Sequence, residues 1–199
     1  MATMVSLVVI VGSYLIGNIL TGPLVARYRT GIDLRQVGSK NVGATNVARS
    51  LGLRLGFLVL VLDALKGFIP VLGAKLLQQS DLVIVIAGIA VVVGHDWPIF
   101  ARFHGGKGVA TSLGVLLAIS PKVAITLTLV WLVVVYFTRY VSLGSLMAGV
   151  SLPLVMLLFG MERVYVIGGV IMAIMATVRH RSNIQRLVGG SELKIGQRK

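Results

Sequence analysis

The chain contains no cysteine, so disulfides, thiolate metal ligands and cysteine nucleophiles are excluded. It is also poor in acids: six Asp and Glu stand against nineteen Lys and Arg, and only three His are present. These few carboxylates and imidazoles are scattered, with no spacing that would gather a metal site, and neither a metal nor any other cofactor is expected. Charged residues make up 13% of the chain, hydrophobic residues 56%, and the mean hydropathy is +0.95. So little polar surface cannot cover a soluble domain, which leaves an integral membrane protein. Aromatics are 7% and do not interleave with basic residues, so the net charge of +13 does not point to nucleic acid as a partner. The preference of Lys and Arg for cytoplasmic loops accounts for most of that charge.

Apolar runs are what the chain has in abundance. They fall at residues 4–26, 53–77, 82–93, 109–119, 123–137, 145–159 and 164–178, which predicts an all-α integral membrane protein with about seven transmembrane helices, some short. Crossing ~30 Å of hydrocarbon takes about 20 residues, and the fourth run falls short unless its glycine-rich start is buried in protein. A five-span arrangement, with two short runs re-entrant or fused, satisfies the same sequence. The first run has no basic n-region and no small-residue cleavage site, so it reads as a span and not as a cleaved signal peptide. Residues 27–54 carry Arg27, Arg29, Arg35, Lys40, Arg49 and Arg54 against Asp33 alone, and residues 179–199 carry six basic residues against Glu192. With Arg102, Lys107 and Arg139, fifteen of the nineteen basic residues share one side when the N-terminus lies outside and the C-terminus in the cytoplasm. No internal repeat or long linker is visible, so residues 1–199 are expected to form one domain.

Three polar segments fall on that cytoplasmic side. The first, residues 37–49, combines small residues with Ser39, Asn41, Thr45 and Asn46 and ends in Arg49, which can hold a phosphate bidentately. An ordinary surface loop serving orientation is the plainer reading, but its density of short hydrogen-bonding side chains exceeds that need. In the second, Gly105, Gly106 and Gly108 surround Lys107 immediately before an apolar run. Bare backbone N–H groups and an ammonium would meet there at a helix N-terminus, where an anion such as phosphate is favoured. This is not a Walker A loop, because Gly108 follows Lys107 and no glycine stands five residues before it. Opening at a membrane surface, it suits a phosphorylated lipid precursor better than a nucleotide. Close helix packing is the competing use for such glycines. His95, Trp97, Pro98, Phe100 and Phe103 read as an interfacial turn with belt aromatics.

The third segment runs from Arg179 through His180, Asn183 and Arg186 to Glu192. A helix here would put His180 and Asn183 on one face, able to contact one polar substrate, although a solvated tail histidine fits the same spacing. Asp63 and Lys66, at i and i+3 inside an apolar run, read as a buried pair, with an ion relay as the sharper alternative.

Gly38-Ser39-Lys40-Asn41-Val42-Gly43-Ala44-Thr45-Asn46, then Gly94-His95 with Gly105-Gly106-Lys107-Gly108-Val109-Ala110-Thr111, then His180, Asn183-Ile184, Arg186-Leu187, Gly190 and Glu192 resemble, in order, three motifs of the bacterial acyl-phosphate-dependent glycerol-3-phosphate acyltransferases, the PlsY type. The likeness spans essentially the whole chain. One departure is Lys40, where the family often has a small residue; it adds charge at the anion site and would alter affinity without abolishing activity.

The resemblance implies a multi-pass enzyme of the bacterial cytoplasmic (inner) membrane, its active site facing the cytoplasm. Its reaction would pass a fatty acyl group from acyl phosphate to the 1-hydroxyl of sn-glycerol 3-phosphate, giving 1-acylglycerol 3-phosphate and phosphate for phospholipid synthesis. Neither acyl-CoA nor acyl-carrier protein is needed as donor, and the His-x4-Asp signature of the more widespread glycerolipid acyltransferases is missing after each of the three His. Ser39, Thr45, Gly105, Gly106 and Lys107 are then assigned to phosphate groups and Arg49 to glycerol 3-phosphate. Asn46, His180 and Asn183 are assigned to the glycerol hydroxyls, while Asn41, Gly43 and Ser145 complete the binding set. Acyl phosphate carries a good leaving group, so positioning and charge stabilisation by Ser39, Lys107, His180 and Asn183 could suffice. His180, a substrate phosphate oxygen or Glu192 could take the proton, with Glu192 better placed to hold the basic tail. The runner-up from another class is a transporter of a phosphorylated small molecule, with Asp63 and Lys66 coupling ions. Such folds favour repeated halves and a midplane site, and here no repeat is visible.

Overall fold

A computed structural model describes residues 2–197, and among them the chain forms ten α-helices. They are α1 (Ala2–Gly17), α2 (Thr21–Thr30), α3 (Ala44–Leu51), α4 (Leu53–Leu76), α5 (Asp81–Asp96), α6 (Val109–Ile119), α7 (Pro121–Thr138), α8 (Val141–Leu158), α9 (Arg163–Arg179) and α10 (Arg181–Val188). Among the described residues, five segments are long and apolar enough to cross a membrane: Thr3–Thr30, α4, Asp81–Ala101, α7 and α8. The α9–α10 pair, bent by 59°, adds a sixth if taken as one span. The eleven residues of α6 reach only about 16 Å at 1.5 Å per residue, too short to cross alone. The chain is thus an all-α, multi-pass integral membrane protein. Large apolar side chains such as Phe57, Leu132, Leu154 and Ile174 stand outward, as they would toward lipid. Arg198 and Lys199, counted in the basic tail, lie outside the described residues.

The first apolar run, expected as one helix, breaks at residues 18–20. The break is sealed by side chains, as backbone at membrane depth requires. Asn18 Nδ2 donates to the Tyr14 carbonyl at 2.7 Å, and its Oδ1 accepts the Ile99 N–H at 2.6 Å. The Ile19 carbonyl accepts from Lys66 Nζ at 2.7 Å, and Thr21 Oγ1 donates to Asp63 Oδ1 at 2.7 Å. Lys66 and Asp63 themselves pair at 2.8 Å, as their spacing suggested.

Glycines set the helix spacing. A Cβ on Gly67 would lie 2.1 Å from the Thr111 carbonyl oxygen, and one on Gly114 would lie 1.8 Å from that of Ala64. Short α6 therefore beds directly on the backbone of α4, inside protein, which answers its lack of length. Gly17 and Gly94 do the same for α1 and α5, where Cβ atoms would meet the carbonyls of Val91 and Tyr14 at 2.2 and 2.1 Å.

Candidate active site

A cavity of about 570 Å³ opens where the Ser39 loop, the Lys107 loop, the start of α8 and the α9–α10 bend meet. The three polar segments singled out in the sequence, well separated along the chain, line this one space. Ser39, Asn41, Gly43, Thr45, Arg49, Lys107, Ser145, His180, Asn183 and Glu192 all contribute to its wall. Away from that polar end the wall is apolar, with Leu113, Leu116, Leu127, Leu152 and Met172 among its residues.

At the polar end one chain of contacts orders the side chains. Lys107 Nζ donates to Asn183 Oδ1. Asn183 Nδ2 then donates to Glu192 Oε1 at 2.6 Å, Ser142 Oγ donates to the same oxygen at 2.7 Å, and Arg186 Nε donates to Oε2 at 2.6 Å. Glu192 is thus fully engaged in orienting its neighbours. Burial works against its charge, but those three hydrogen bonds outweigh it and hold the carboxyl below its ordinary range. Lys107 is pushed down to about 8, chiefly by burial; Glu192 opposes the shift, while Arg186, Arg179 and Arg49 reinforce it.

His180 sits between α9 and α10 and is 2% exposed. Its Nδ1 lies 2.7 Å from the Ala176 carbonyl, which can only accept, so Nδ1 carries the proton and Nε2 keeps its lone pair. Burial first, and then the nearby Lys107 ammonium, lower this imidazole to about 4. Ser145 is half committed: its hydroxyl donates to the Val141 carbonyl at 3.0 Å and accepts from Trp131 Nε1 at 3.3 Å.

Three candidate residues are not brought to the cavity wall. Asn46, 1% exposed, accepts the Ser39 N–H at Oδ1 (2.8 Å) and donates through Nδ2 to the carbonyls of Leu34, Val37 and Asn41 at 3.2, 3.1 and 2.8 Å. It shapes the loop that presents Ser39. Asn46→Ala should therefore destabilise the protein by about 2–4 kcal/mol, since it strands several buried backbone groups. Thermal unfolding in detergent checks this; an unchanged midpoint would refute the loop-holding role. Gly105 and Gly106 also face away from the cavity. The Gly106 N–H is spent on the His95 carbonyl at 3.0 Å, and Arg179 donates to the carbonyls of Gly105 and Gly106 at 3.0 and 2.6 Å. Their lack of a side chain serves close approach: a Cβ on Gly105 would lie 2.0 Å from the His95 carbonyl oxygen. Gly108, in contrast, lines the cavity with φ of 68°, ending the loop at the start of α6.

The cavity also exposes residues the sequence did not single out for it. Asp63 and His95 reach its wall, although His95 had the look of an interfacial turn; the ring is 4% exposed and lies against Lys66. Ser142 is also new to the site and joins through Glu192, which already holds Arg186 of the third segment. His95 and Ser142 are revealed only by pairing in space, since His95 of α5 meets Lys66 of α4 and Ser142 of α8 meets Glu192 of the tail.

Fold and cavity together define the class: an integral membrane protein with a pocket that is cationic at its polar end and apolar along its length. The family model for glycerol-3-phosphate acyltransferase matches residues 7–190. A glycerol-3-phosphate acyltransferase of Desulforamulus reducens is 47% identical over 100% of both chains, and one of Carboxydothermus hydrogenoformans is 44% identical over 94% of this chain and 95% of its own. The crystal structure of PlsY (YgiH), an integral membrane glycerol 3-phosphate acyltransferase in its glycerol 3-phosphate form, superposes with a TM-score of 0.92 at 44% identity, covering 96% of each chain. Its lysophosphatidic acid form gives 0.89 at 42% identity over 96% of this chain and 95% of that one. The chain belongs to the glycerol-3-phosphate acyltransferase family.

Proposed function

We propose that this chain transfers a fatty acyl group from acyl phosphate to the 1-hydroxyl of sn-glycerol 3-phosphate, releasing lysophosphatidate and inorganic phosphate for phospholipid synthesis. The observation that carries the reading is the cavity itself, which joins Arg49, Lys107, His180 and Asn183 to an apolar wall of Leu113, Leu116, Leu127 and Leu152. Such a space suits a donor with a phosphate head and an acyl tail, beside a second phosphate ester. Arg49 and Lys107 supply the charge for the phosphates, Ser39 and Thr45 supply hydroxyl contacts, and His180 and Asn183 orient the glycerol.

In the reaction, O1 of glycerol 3-phosphate attacks the acyl carbonyl carbon, the bond from that carbon to the phosphate oxygen breaks, and phosphate departs with the electron pair. The hydroxyl proton passes to His180 Nε2 or to a phosphate oxygen. Charge gathered on the departing phosphate is met by Lys107, and no covalent enzyme intermediate is needed. Residues 1–199 act as one domain in the bacterial cytoplasmic membrane, with the basic loops and the pocket on the cytoplasmic side.

Purified protein in detergent or lipid mesophase, given palmitoyl phosphate and glycerol 3-phosphate, should form lysophosphatidate and release phosphate in equal amounts. Palmitoyl-CoA in place of palmitoyl phosphate should give no product. Absence of lysophosphatidate with palmitoyl phosphate would overturn the assignment, and efficient use of palmitoyl-CoA would overturn the choice of donor.

A further inference from the structure

Part of the cavity wall belongs to a polar cluster to which the reaction assigns no role. Asp63 and Lys66 on α4 and His95 on α5 are all buried; Lys66 Nζ lies 2.8 Å from Asp63 Oδ1, 2.7 Å from His95 Nδ1 and 2.7 Å from the Ile19 carbonyl. Thr21 Oγ1 completes the cluster on Asp63. A buried ion pair adds little net stability compared with apolar residues of the same size, so stability alone is a weak reason to hold one at membrane depth.

The geometry of His95 supplies another reason. Its Nδ1 accepts from the Lys66 ammonium, so the ring proton resides on Nε2. That edge of the ring abuts Gly106 so closely that a Cβ there would lie 2.0 Å from Nε2. The His95 carbonyl meanwhile accepts the Gly106 N–H at 3.0 Å, closing the loop at its base. From the other side Arg179 holds the Gly105 and Gly106 carbonyls and stacks its guanidinium 5.2 Å over Trp97. Gly106 is therefore gripped between a ring and a guanidinium, and the next residue is Lys107.

We propose that Asp63, Lys66 and His95 form an internal brace that sets the position of Lys107, acting through the contact of the His95 ring with Gly106. They are positioning residues, and the brace reaches from the break in the first span to the anion-binding loop. Lys66 fixes the ring's rotation, Asp63 and Thr21 fix Lys66, and the ring fixes how far the glycine loop can settle toward α5. The inference rests on the acyltransferase reading of the cavity and adds residues to it.

The test uses the full chain with palmitoyl phosphate and glycerol 3-phosphate. In His95→Asn the amide oxygen can replace Nδ1 as the acceptor for Lys66, so no buried ammonium is stranded, but the ring edge against Gly106 is gone. KM for glycerol 3-phosphate should rise between about 10- and 100-fold, the scale of a displaced contact group. The alkaline limb of kcat/KM should also move upward from near pH 8, because a Lys107 released from its seat regains solvent. The charged groups facing Lys107 are Glu192 from the tail, Arg186 from α10, Arg179 from α9 and Arg49 from α3, and His95→Asn removes none of them. A purely structural role would lower the yield of folded protein while leaving KM and limb in place, and that result overturns the proposal.

Gly106→Ala gives an independent arm. Its added methyl collides with the ring in the parent chain, so its cost in KM should be several-fold smaller in the His95→Asn background; additive effects would overturn the mechanism. Should His95→Asn not accumulate folded, Asp63→Leu with Lys66→Met removes both charges together and should raise KM in the same range, with an unchanged KM counting against the brace. An unmutated chain that makes no lysophosphatidate refutes the acyltransferase reading; an active one with unmoved variants refutes the brace alone.

Discussion

Lys107→Ala should lower kcat/KM for glycerol 3-phosphate by about 100- to 1,000-fold, the scale of removing one preorganised charged donor from a site where charge develops. The side chain is mostly enclosed, faces Asn183 and His180, and stands where the glycine loop enters α6. Burial has already imposed the cost of desolvating its ammonium, which is why its pKa falls to about 8. An arriving phosphate recovers that cost, whereas in the variant Arg49 and Arg186 remain but sit off the glycine loop. Steady-state kinetics with saturating palmitoyl phosphate measure the loss; a variant within a few-fold of the parent chain would refute the role.

The same lysine predicts opposite pH trends for activity and stability. Between about pH 8 and 10.5 the folded chain has released the Lys107 proton while the unfolded chain still holds it. Stability without substrate should therefore rise with pH across that window, because the unfolded state binds the extra proton. Activity should fall across the same window as the charge is lost. Lys107→Arg, always protonated, should flatten the alkaline limb even at reduced turnover.

Much of this was legible in the chain because two of its signals are local. Apolar runs report helices directly, and the runs at 53–77, 123–137 and 164–178 became α4, α7 and α9. The Asp63–Lys66 pair was readable because i and i+3 fall on one face of a helix. Its third member was not, since His95 lies on another helix and nothing in its neighbours distinguishes a buried imidazole from one in a turn. The break at residues 18–20 was hidden for a related reason: Ile19 and Leu20 are as apolar as the helix around them, and Asn18 and the Ile19 carbonyl find their distant partners only on Ile99 and α4. Asn46 shows the limit for the site. Ser39, Asn41, Thr45 and Asn46 carry the same kinds of polar groups within eight residues, and only the fold decides that Asn46 turns inward to hold the loop while the others line the cavity.

His180 is the second large effect, and two substitutions separate its possible roles. His180→Ala should cost about 100-fold in kcat/KM, the scale of losing a contact that positions the reacting hydroxyl. His180→Gln should recover most of that, because its side-chain oxygen can stand near Nε2 and accept the glycerol hydroxyl without being a base. This asymmetry follows from the imidazole's own state. With Nδ1–H fixed on the Ala176 carbonyl and the Lys107 ammonium nearby, Nε2 is an acceptor whose basicity is lowered to about 4. A base that weak is poorly matched to neutral pH, whereas a phosphate monoester, with its second pKa at about 6, takes a proton more readily. The acid limb of the parent chain should accordingly lie near pH 6 and persist in both variants. If Gln and Ala lose activity equally and an acid limb near pH 4 disappears with the imidazole, His180 is the general base and the substrate phosphate is not.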